Sequence, residues 1–152
     1  MDVKIEIASR KITMDLQLHP REKEGIQILD LHGHVTEGAS EAKLRSTIID
    51  LAEAKIVKVI LNFAGVLEID ADGLGALSFC EARLTSSSGA LRLLNLSQRH
   101  LDLMVLTKLN TVSEIFTDEQ DAINSFFPDR AGLRYDILEF VEEEDDAPGD
   151  PK

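Results

Sequence analysis

Residues 67–77 read Leu-Glu-Ile-Asp-Ala-Asp-Gly-Leu-Gly-Ala-Leu and lie between two different apolar patterns. An almost continuous apolar run at residues 57–63 precedes them, and an amphipathic pattern begins at Leu74. A short apolar run indicates a strand, whereas apolar residues spaced three or four apart indicate a helix. Residues 67–77 are therefore predicted to form the turn between a strand and the helix that follows it.

Polar and glycine residues in this turn have the properties of a functional site. Asp70 and Asp72 lie where the first backbone N–H groups of a helix lack intrahelical partners. Gly73 and Gly75 allow a tight backbone and the close approach of another group. Because α/β proteins usually place function at the carboxyl ends of their strands, we expect the functional site here.

Periodicity along the rest of the chain predicts strands that alternate with helices. The predicted strands cover residues 12–18, 26–31, 57–63, 90–95 and 115–116, with a further N-terminal strand at Val3, Ile5 and Ile7. Four helices are predicted. The inward-facing residues are Leu44, Ile48 and Leu51 in the first, Leu74, Leu77, Cys80 and Leu84 in the second, and Leu101, Val105 and Leu109 in the third. The fourth contains Ala122, Ile123 and Phe126. Alternation implies parallel strands, and a short first connection implies one antiparallel pair. We therefore expect an α/β protein with a mixed β-sheet and about four α-helices packed against it.

Turn and capping residues mark the ends of these elements. Residues 20–25 are predicted as a charged turn, and Gly33 as the end of the second strand. Candidate helix caps are found at residues 36–40, at Ser97, and at Thr117 with Gln120, which form a capping box. Pro128 is expected to end the last helix.

Acidic residues are concentrated near the C-terminus. From Tyr135 onward the chain has eight acidic residues and one lysine, together with Pro148 and Pro151. Such a segment buries too little apolar area to offset the entropy of ordering. We therefore predict a single domain over residues 1–134, with the strands in residues 1–20 as an extension, and a disordered acidic tail over residues 135–152.

Composition excludes several classes of function. The formal net charge of −12 disfavours nucleic acids and anionic membranes as partners, because both attract cationic proteins. The single cysteine, Cys80, cannot form an internal disulfide, which is typical of a reducing compartment. No apolar run reaches the ~18 residues of a membrane span, and residues 1–11 lack an apolar signal core. We expect a cytoplasmic protein with no membrane insertion.

Two runs of sequence resemble the STAS family, named after sulphate transporters and anti-sigma-factor antagonists. They read VILNFAGV at residues 59–66 and IDADGLG at residues 69–75. The family shows an apolar strand that ends in Asp or Asn, followed by a turn resembling Asp-Ser-Ser-Gly-Leu-Gly. Gly33, residues 91–95 and residues 106–109 also fit in order and spacing. The resemblance covers residues 14–127 and implies the STAS fold.

The resemblance to anti-sigma-factor antagonists implies a function. In these bacterial proteins the second serine of the turn is phosphorylated by a kinase that is also the anti-sigma factor. The unmodified antagonist binds that kinase and frees the sigma factor. The resemblance thus implies a non-catalytic protein-binding regulator of transcription, in a partner-switching pathway, with a serine-kinase-like anti-sigma factor as partner. An accessory subunit of a transport complex or a stressosome-type scaffold remains the alternative, and the oligomeric state is left open.

The chain departs from the family at the phosphorylated position, where it has Asp72, preceded by Ala71. Three interpretations of Asp72 stay open: a helix N-cap, a partial imitation of phosphoserine, and a switch that has been lost. Thr36 lies near the loop position where the family often has an acidic residue. The surface equivalent to the phosphorylation site then comprises Asp70, Ala71, Asp72, Gly73, Leu74, Gly75 and Thr36.

Other groups of reactive residues do not predict catalysis. Glu68, Asp70 and Asp72 suggest a magnesium site only if the chain stays extended. His32 and His34 form a His-x-His pair for which no third ligand is identifiable. The sequence contains no nucleophile–base set and no phosphate-binding glycine motif. We expect no enzyme activity, cofactor or metal; an enzyme or ligand sensor that uses the same turn is the third class of function to test.

Overall fold

A computed structural model describes residues 15–111 and 113–130. Five strands form one mixed sheet in chain order: β1 (Leu16–Lys23), β2 (Ile26–Val35), β3 (Lys58–Ile69), β4 (Ala90–Leu94) and β5 (Glu114–Phe116). β1 and β2 are antiparallel, and all later neighbours are parallel, as predicted. The α-helices of the described residues are α1 (Ala39–Glu53), α2 (Ala71–Ser86), α3 (Gln98–Leu106) and α4 (Glu119–Asn124), with a 3₁₀-helix at Leu109–Thr111. None of these helices is long and apolar enough to cross a membrane.

The helices cover the two faces of the sheet unequally. On one face, Leu44 of α1, Leu77 of α2 and Met104 of α3 belong to one buried cluster with residues of β2, β3 and β4. On the other face, Ala122 and Ile123 of α4 form a smaller cluster with strand residues. Leu74, Ala76 and Leu77, from the first two turns of α2, belong to the large cluster. Their burial positions the start of this helix against the sheet.

β1 extends beyond its predicted end at Leu18 and continues through Pro20 to Lys23, whereas the predicted start at Ile12 lies outside the described residues. The turn that follows contains only Glu24 and Gly25, both with positive φ (55° and 83°). Asp15 O accepts a hydrogen bond from His34 N, so the hydrogen-bonded pairs fall on odd-numbered residues of β1. The Pro20 nitrogen therefore faces away from β2, on the side of β1 where no strand of the described residues pairs, so its missing N–H breaks no β1–β2 ladder bond.

β2 and β3 also extend beyond their predicted ends. Gly33 does not end β2, which runs to Val35 with register shifts against β3 on either side of it. Gly33 has φ 114°, and a Cβ there would lie 2.2 Å from Asp15 O, so only glycine permits this path. β3 runs to Ile69, which makes the turn before α2 shorter than predicted.

The helix caps follow the predictions in part. The Ser97 side chain accepts a hydrogen bond from His100 N and caps α3, as expected. The predicted capping box of α4 is wrong, because the cap is Asp118, whose Oδ2 accepts from Asp121 N at 2.9 Å. The N-cap residue of α1 is Gly38, and no side chain caps the helix, contrary to the prediction of a capping side chain within residues 36–40. α4 ends at Asn124, before Pro128, and residues 128–130 are helical again.

The buried face of α3 agrees with the predicted one only in part. Of the residues predicted to point inward, Leu101 and Leu109 are partly buried and pack against the larger cluster, whereas Val105 is 58% exposed. The fully buried residues of the helix are His100 and Met104. The apolar pattern misled because a histidine occupies a core position. The predicted strand at Val3, Ile5 and Ile7 and the tail at residues 135–152 lie outside the described residues.

Candidate functional site

Asp70 begins α2 and holds its first turn. Its backbone is extended (φ −110°), and its Oδ1 accepts a hydrogen bond from Gly73 N at 2.8 Å. An aspartate in this position satisfies one unpaired N–H group of the helix and places a negative charge at the positive end of the helix dipole. We call residues 70–75 the capped turn.

The same carboxylate also ties the capped turn to the preceding loop. Oδ2 of Asp70 accepts from Glu37 N at 3.0 Å, and Asp70 N donates to Val35 O at 3.3 Å. One side chain thus joins the end of β3, the start of α2 and the loop between β2 and α1. Each loop is held in place by a residue more than thirty positions away.

The glycines of the capped turn have different environments. Gly73 is buried, and a Cβ there would lie only 1.9 Å from Val35 O, so α2 approaches β2 through this residue. Gly75 is exposed, and a Cβ there would make an ordinary 3.6 Å contact with Arg45 Nη2. Leu74 is buried beneath them. The surface of the capped turn is therefore formed by the exposed residues Ala71, Asp72 and Gly75.

Asp72 is not the helix cap, so the capping interpretation of this residue is wrong. It is the second residue of α2, two positions after the cap Asp70. Its side chain is exposed and forms no hydrogen bond with the residues that the structure describes. Asp72 therefore presents a free negative charge at the helix start, where the dipole favours an anion.

Thr36 lies in the loop beside the capped turn but does not present its hydroxyl to the surface. The residue is 4% exposed, and within the described chain its Oγ1 has no hydrogen-bond partner. Its carbonyl accepts from Glu41 N at 3.1 Å. The next residue, Glu37, is exposed and carries the N–H that binds Asp70. The acidic side chain of this loop thus belongs to Glu37.

Two arginines that were not predicted from the sequence as site residues lie at the edges of the capped turn. Arg45 of α1 donates to Glu41 Oε1 at 2.6 Å and lies over the Phe79 ring, 5.1 Å from its centroid. Arg99 of α3 donates to the carbonyl of Leu67 at 2.8 Å. The Glu41–Arg45 spacing of four residues was the one signal available in the sequence. The site therefore combines exposed carboxylates with two arginines at its edges.

The remaining candidate residues do not converge on a reactive site. Among the described residues, no three His, Cys, Asp or Glu side chains are placed to hold a metal ion, so Glu68, Asp70 and Asp72 remain separate. His32 contacts His19 edge-on at 5.0 Å between ring centroids. His34 Nδ1 lies instead 3.6 Å from Glu68 Oε1.

Cys80 lies on the buried face of α2 and is not a nucleophile in this environment. The side chain is fully buried and belongs to the larger apolar cluster. Burial raises the pKa of the thiol to about 12. The residue is therefore held as an unreactive thiol, because the thiolate is the reactive form of cysteine.

Comparison with known families identifies the class of this chain. The structure described above is a mixed sheet with a strand-to-helix turn that is capped by an aspartate. The family model named STAS domain matches residues 17–122. The chain therefore belongs to the STAS domain family. Comparison with curated proteins found no match.

Solved structures share the fold at low sequence identity. A protein of Thermotoga maritima assigned as an anti-sigma factor antagonist superposes with a TM-score of 0.67 at 17% identity, over 71% of this chain and 92% of that one. The Bacillus cell fate determinant SpoIIAA, in its phosphorylated form, gives a TM-score of 0.57 at 20% identity, over 73% and 98%. The murine anion transporter Slc26a9 gives a TM-score of 0.61 at 14% identity, over 80% of this chain and 24% of that one. These similarities show the fold.

Proposed function

We propose that the chain is a non-catalytic, protein-binding regulator of the anti-sigma-factor antagonist type. The observation that carries this proposal is the exposed carboxylate of Asp72 at the second position of α2, which has no partner within residues 15–111 and 113–130 and lies on a turn fixed by Asp70. A rigid, charged helix start, at which the described residues bring no catalytic groups together, fits recognition of another protein. The partner that we propose is a serine-kinase-like anti-sigma factor in the cytoplasm of a bacterial cell.

Asp72 replaces the serine that the family uses as its switch, and this gives the proposal its mechanism. A phosphoserine carries a charge of about −1.5 to −2 and three acceptor oxygens, whereas aspartate supplies a charge of −1 and two oxygens. Asp72 therefore imitates the phosphorylated state in part and without a kinase. We propose that the affinity for the partner is fixed by this charge and is not switched by phosphorylation.

Two measurements test this function. Calorimetric titration of the full chain with the serine-kinase-like protein of the source cell should detect a saturable complex. Mass spectrometry of the native protein should find no phosphate between Asp70 and Ser78. ATP binding shows that the kinase is folded. If the folded kinase forms no complex with the chain, the partner assignment is contradicted. A phosphate between Asp70 and Ser78 would contradict the fixed affinity.

A role in a transport complex is the second candidate, because the fold is shared with the anion transporter Slc26a9. In that role the chain would bind a transporter or its ATPase in place of an anti-sigma factor, and a stressosome-type scaffold would instead give large assemblies. Titration of both kinds of protein against the same preparation separates the candidates. Binding to the transporter component alone would favour the second candidate.

A further inference from the structure

A small cavity lies between the end of β3 and the first turns of α3. Its volume is about 240 Å³, and it is lined by Glu68, Ile69, Arg99, His100 and Leu103. One water molecule needs only about 10–15 Å³ of such space, and drug-sized ligands fill pockets of about 300–1,000 Å³. The cavity therefore has room for a small organic molecule.

His100 supplies the observation that points to a ligand. The residue is only 3% exposed, and neither Nδ1 nor Nε2 has a hydrogen-bond partner within the described part of the chain. Burial, together with the nearby charge of Arg99, lowers the pKa of His100 and outweighs the opposing effect of the Glu68 carboxylate. The neutral ring has one N–H donor and one acceptor. Because buried polar atoms are nearly always hydrogen-bonded, this ring requires a partner that the described residues do not provide.

Arg99 determines the charge of that partner. Its Nη2 donates to the carbonyl of Leu67 at 2.8 Å, which fixes the guanidinium at the rim of the cavity. A guanidinium has five N–H donors and prefers carboxylates and phosphates. The carboxylate of Glu68 is 57% exposed and lies 3.6 Å from His34 Nδ1. Among the described residues, no salt bridge joins Arg99 to Glu68, so the charge of Arg99 stays available to a ligand.

We propose that this cavity binds a small organic carboxylate with an aliphatic or aromatic body. One carboxylate oxygen pairs with Arg99, the other accepts the ring N–H of His100, and the apolar body lies against Ile69 and Leu103. An occupied cavity joins α3 to the end of β3, directly before Asp70. The lining of this site is distinct from the proposed partner surface, because it includes none of Ala71, Asp72 and Gly75.

The test uses three probes with the full chain: 4-methylpentanoate, hexanoate and benzoate. Long-range ¹H–¹⁵N spectra report the ring nitrogens of each histidine during titration at pH 7.5. We expect saturable shifts of the His100 nitrogens with at least one probe, whereas the exposed ring of His19 does not respond. The matching neutral amide of that probe should bind about tenfold or more weakly, since it lacks the charge that Arg99 recognises.

Two variants complete the test. Arg99→Gln should weaken binding of the responding probe about tenfold or more, and Lys108→Gln, which removes an exposed cation just beyond α3, should not. Circular dichroism confirms that each variant is folded. The proposal is overturned if none of the three probes gives a saturable shift of His100, if acid and amide bind equally, or if both variants bind as the unaltered chain does.

Discussion

At the scale of single residues, Asp70 and Asp72 lie two positions apart at the start of α2 and have different roles. Asp70 accepts hydrogen bonds from Gly73 N and Glu37 N, whereas Asp72 is exposed and unpaired among the described residues. The turn and its two aspartates could be predicted from sequence. Which aspartate caps the helix could not, because β3 runs to Ile69 and the helix therefore begins at Ala71.

Removing the Asp70 carboxylate should destabilise the protein more than removing that of Asp72. We expect Asp70→Ala to lower the free energy of unfolding by about 1–3 kcal/mol, because it deletes a helix cap and a second hydrogen bond. Asp72→Ala should lower it by about 1 kcal/mol at most, the value of a charge near the dipole. Urea denaturation measures both changes. A larger loss for Asp72→Ala would show that the cap is assigned to the wrong residue.

The two glycines of the capped turn provide a matched pair of substitutions. Gly73→Ala should lower the free energy of unfolding by about 1–3 kcal/mol, because the new methyl group would meet Val35 O at 1.9 Å. Gly75→Ala should raise it by about 0.5–1 kcal/mol, because the site is exposed and alanine is favoured in a helix. Thermal denaturation of both variants checks the signs. Equal effects would mean that α2 does not approach β2 through Gly73.

At the scale of elements, apolar periodicity predicted the existence and order of the strands and helices, but not all of their ends. The sequence predicts Pro20 in a turn, yet it lies inside β1, with its nitrogen pointing away from β2. The sequence also predicts that Gly33 ends a strand, yet it lies within β2, at a register shift. In both cases the neighbouring strand decides the conformation, and local sequence does not contain that information.

The buried face of helix α3 differs in part from the predicted one, because the polar residue His100 occupies a core position. Met104→Ala should lower the free energy of unfolding by about 2–5 kcal/mol, because the side chain is 1% exposed. Val105→Ala should change it by less than about 0.5 kcal/mol, because that side chain is 58% exposed. Chemical denaturation of the two variants compares adjacent residues of one helix. A large loss of unfolding free energy for Val105→Ala, with none for Met104→Ala, would show that Val105 is buried, as the sequence predicts.

At the scale of the whole molecule, Arg21 connects the edge of the sheet to the last helix. Its Nε donates to Asp30 Oδ2 and its Nη2 to Glu119 Oε1, both at 2.7 Å, so β1, β2 and α4 share one ion cluster. The sequence could not predict this cluster, since Arg21 and Glu119 are separated by ninety-eight positions. The Asp70–Glu37 contact escaped prediction for the same reason.

The Arg21 cluster should make stability depend on acid pH. Hydrogen bonds from Arg21 hold the pKa values of Asp30 and Glu119 below their ordinary range. The stabilisation is therefore complete above the unfolded-state values of about 4 and is lost as pH falls through the lower folded-state values. Arg21→Met should flatten the fall in unfolding free energy below about pH 5, whereas Arg83→Met on α2 should not. Identical pH profiles for the two variants would contradict this role of Arg21.

The central claim is that the charge of Asp72 sets the affinity for a partner protein. The deciding measurement is the dissociation constant between the serine-kinase-like partner and four versions of the full chain: unaltered, Asp72→Asn, Asp72→Ser and Asp50→Asn. Asp50 is an exposed carboxylate near the far end of α1 and serves as the matched control. If Asp72 imitates phosphoserine, both Asp72 variants should bind about fivefold or more tightly, the Asp50 variant should bind as the unaltered chain does, and the serine variant alone should become a substrate of the kinase. Equal affinities for all four versions would contradict the claim.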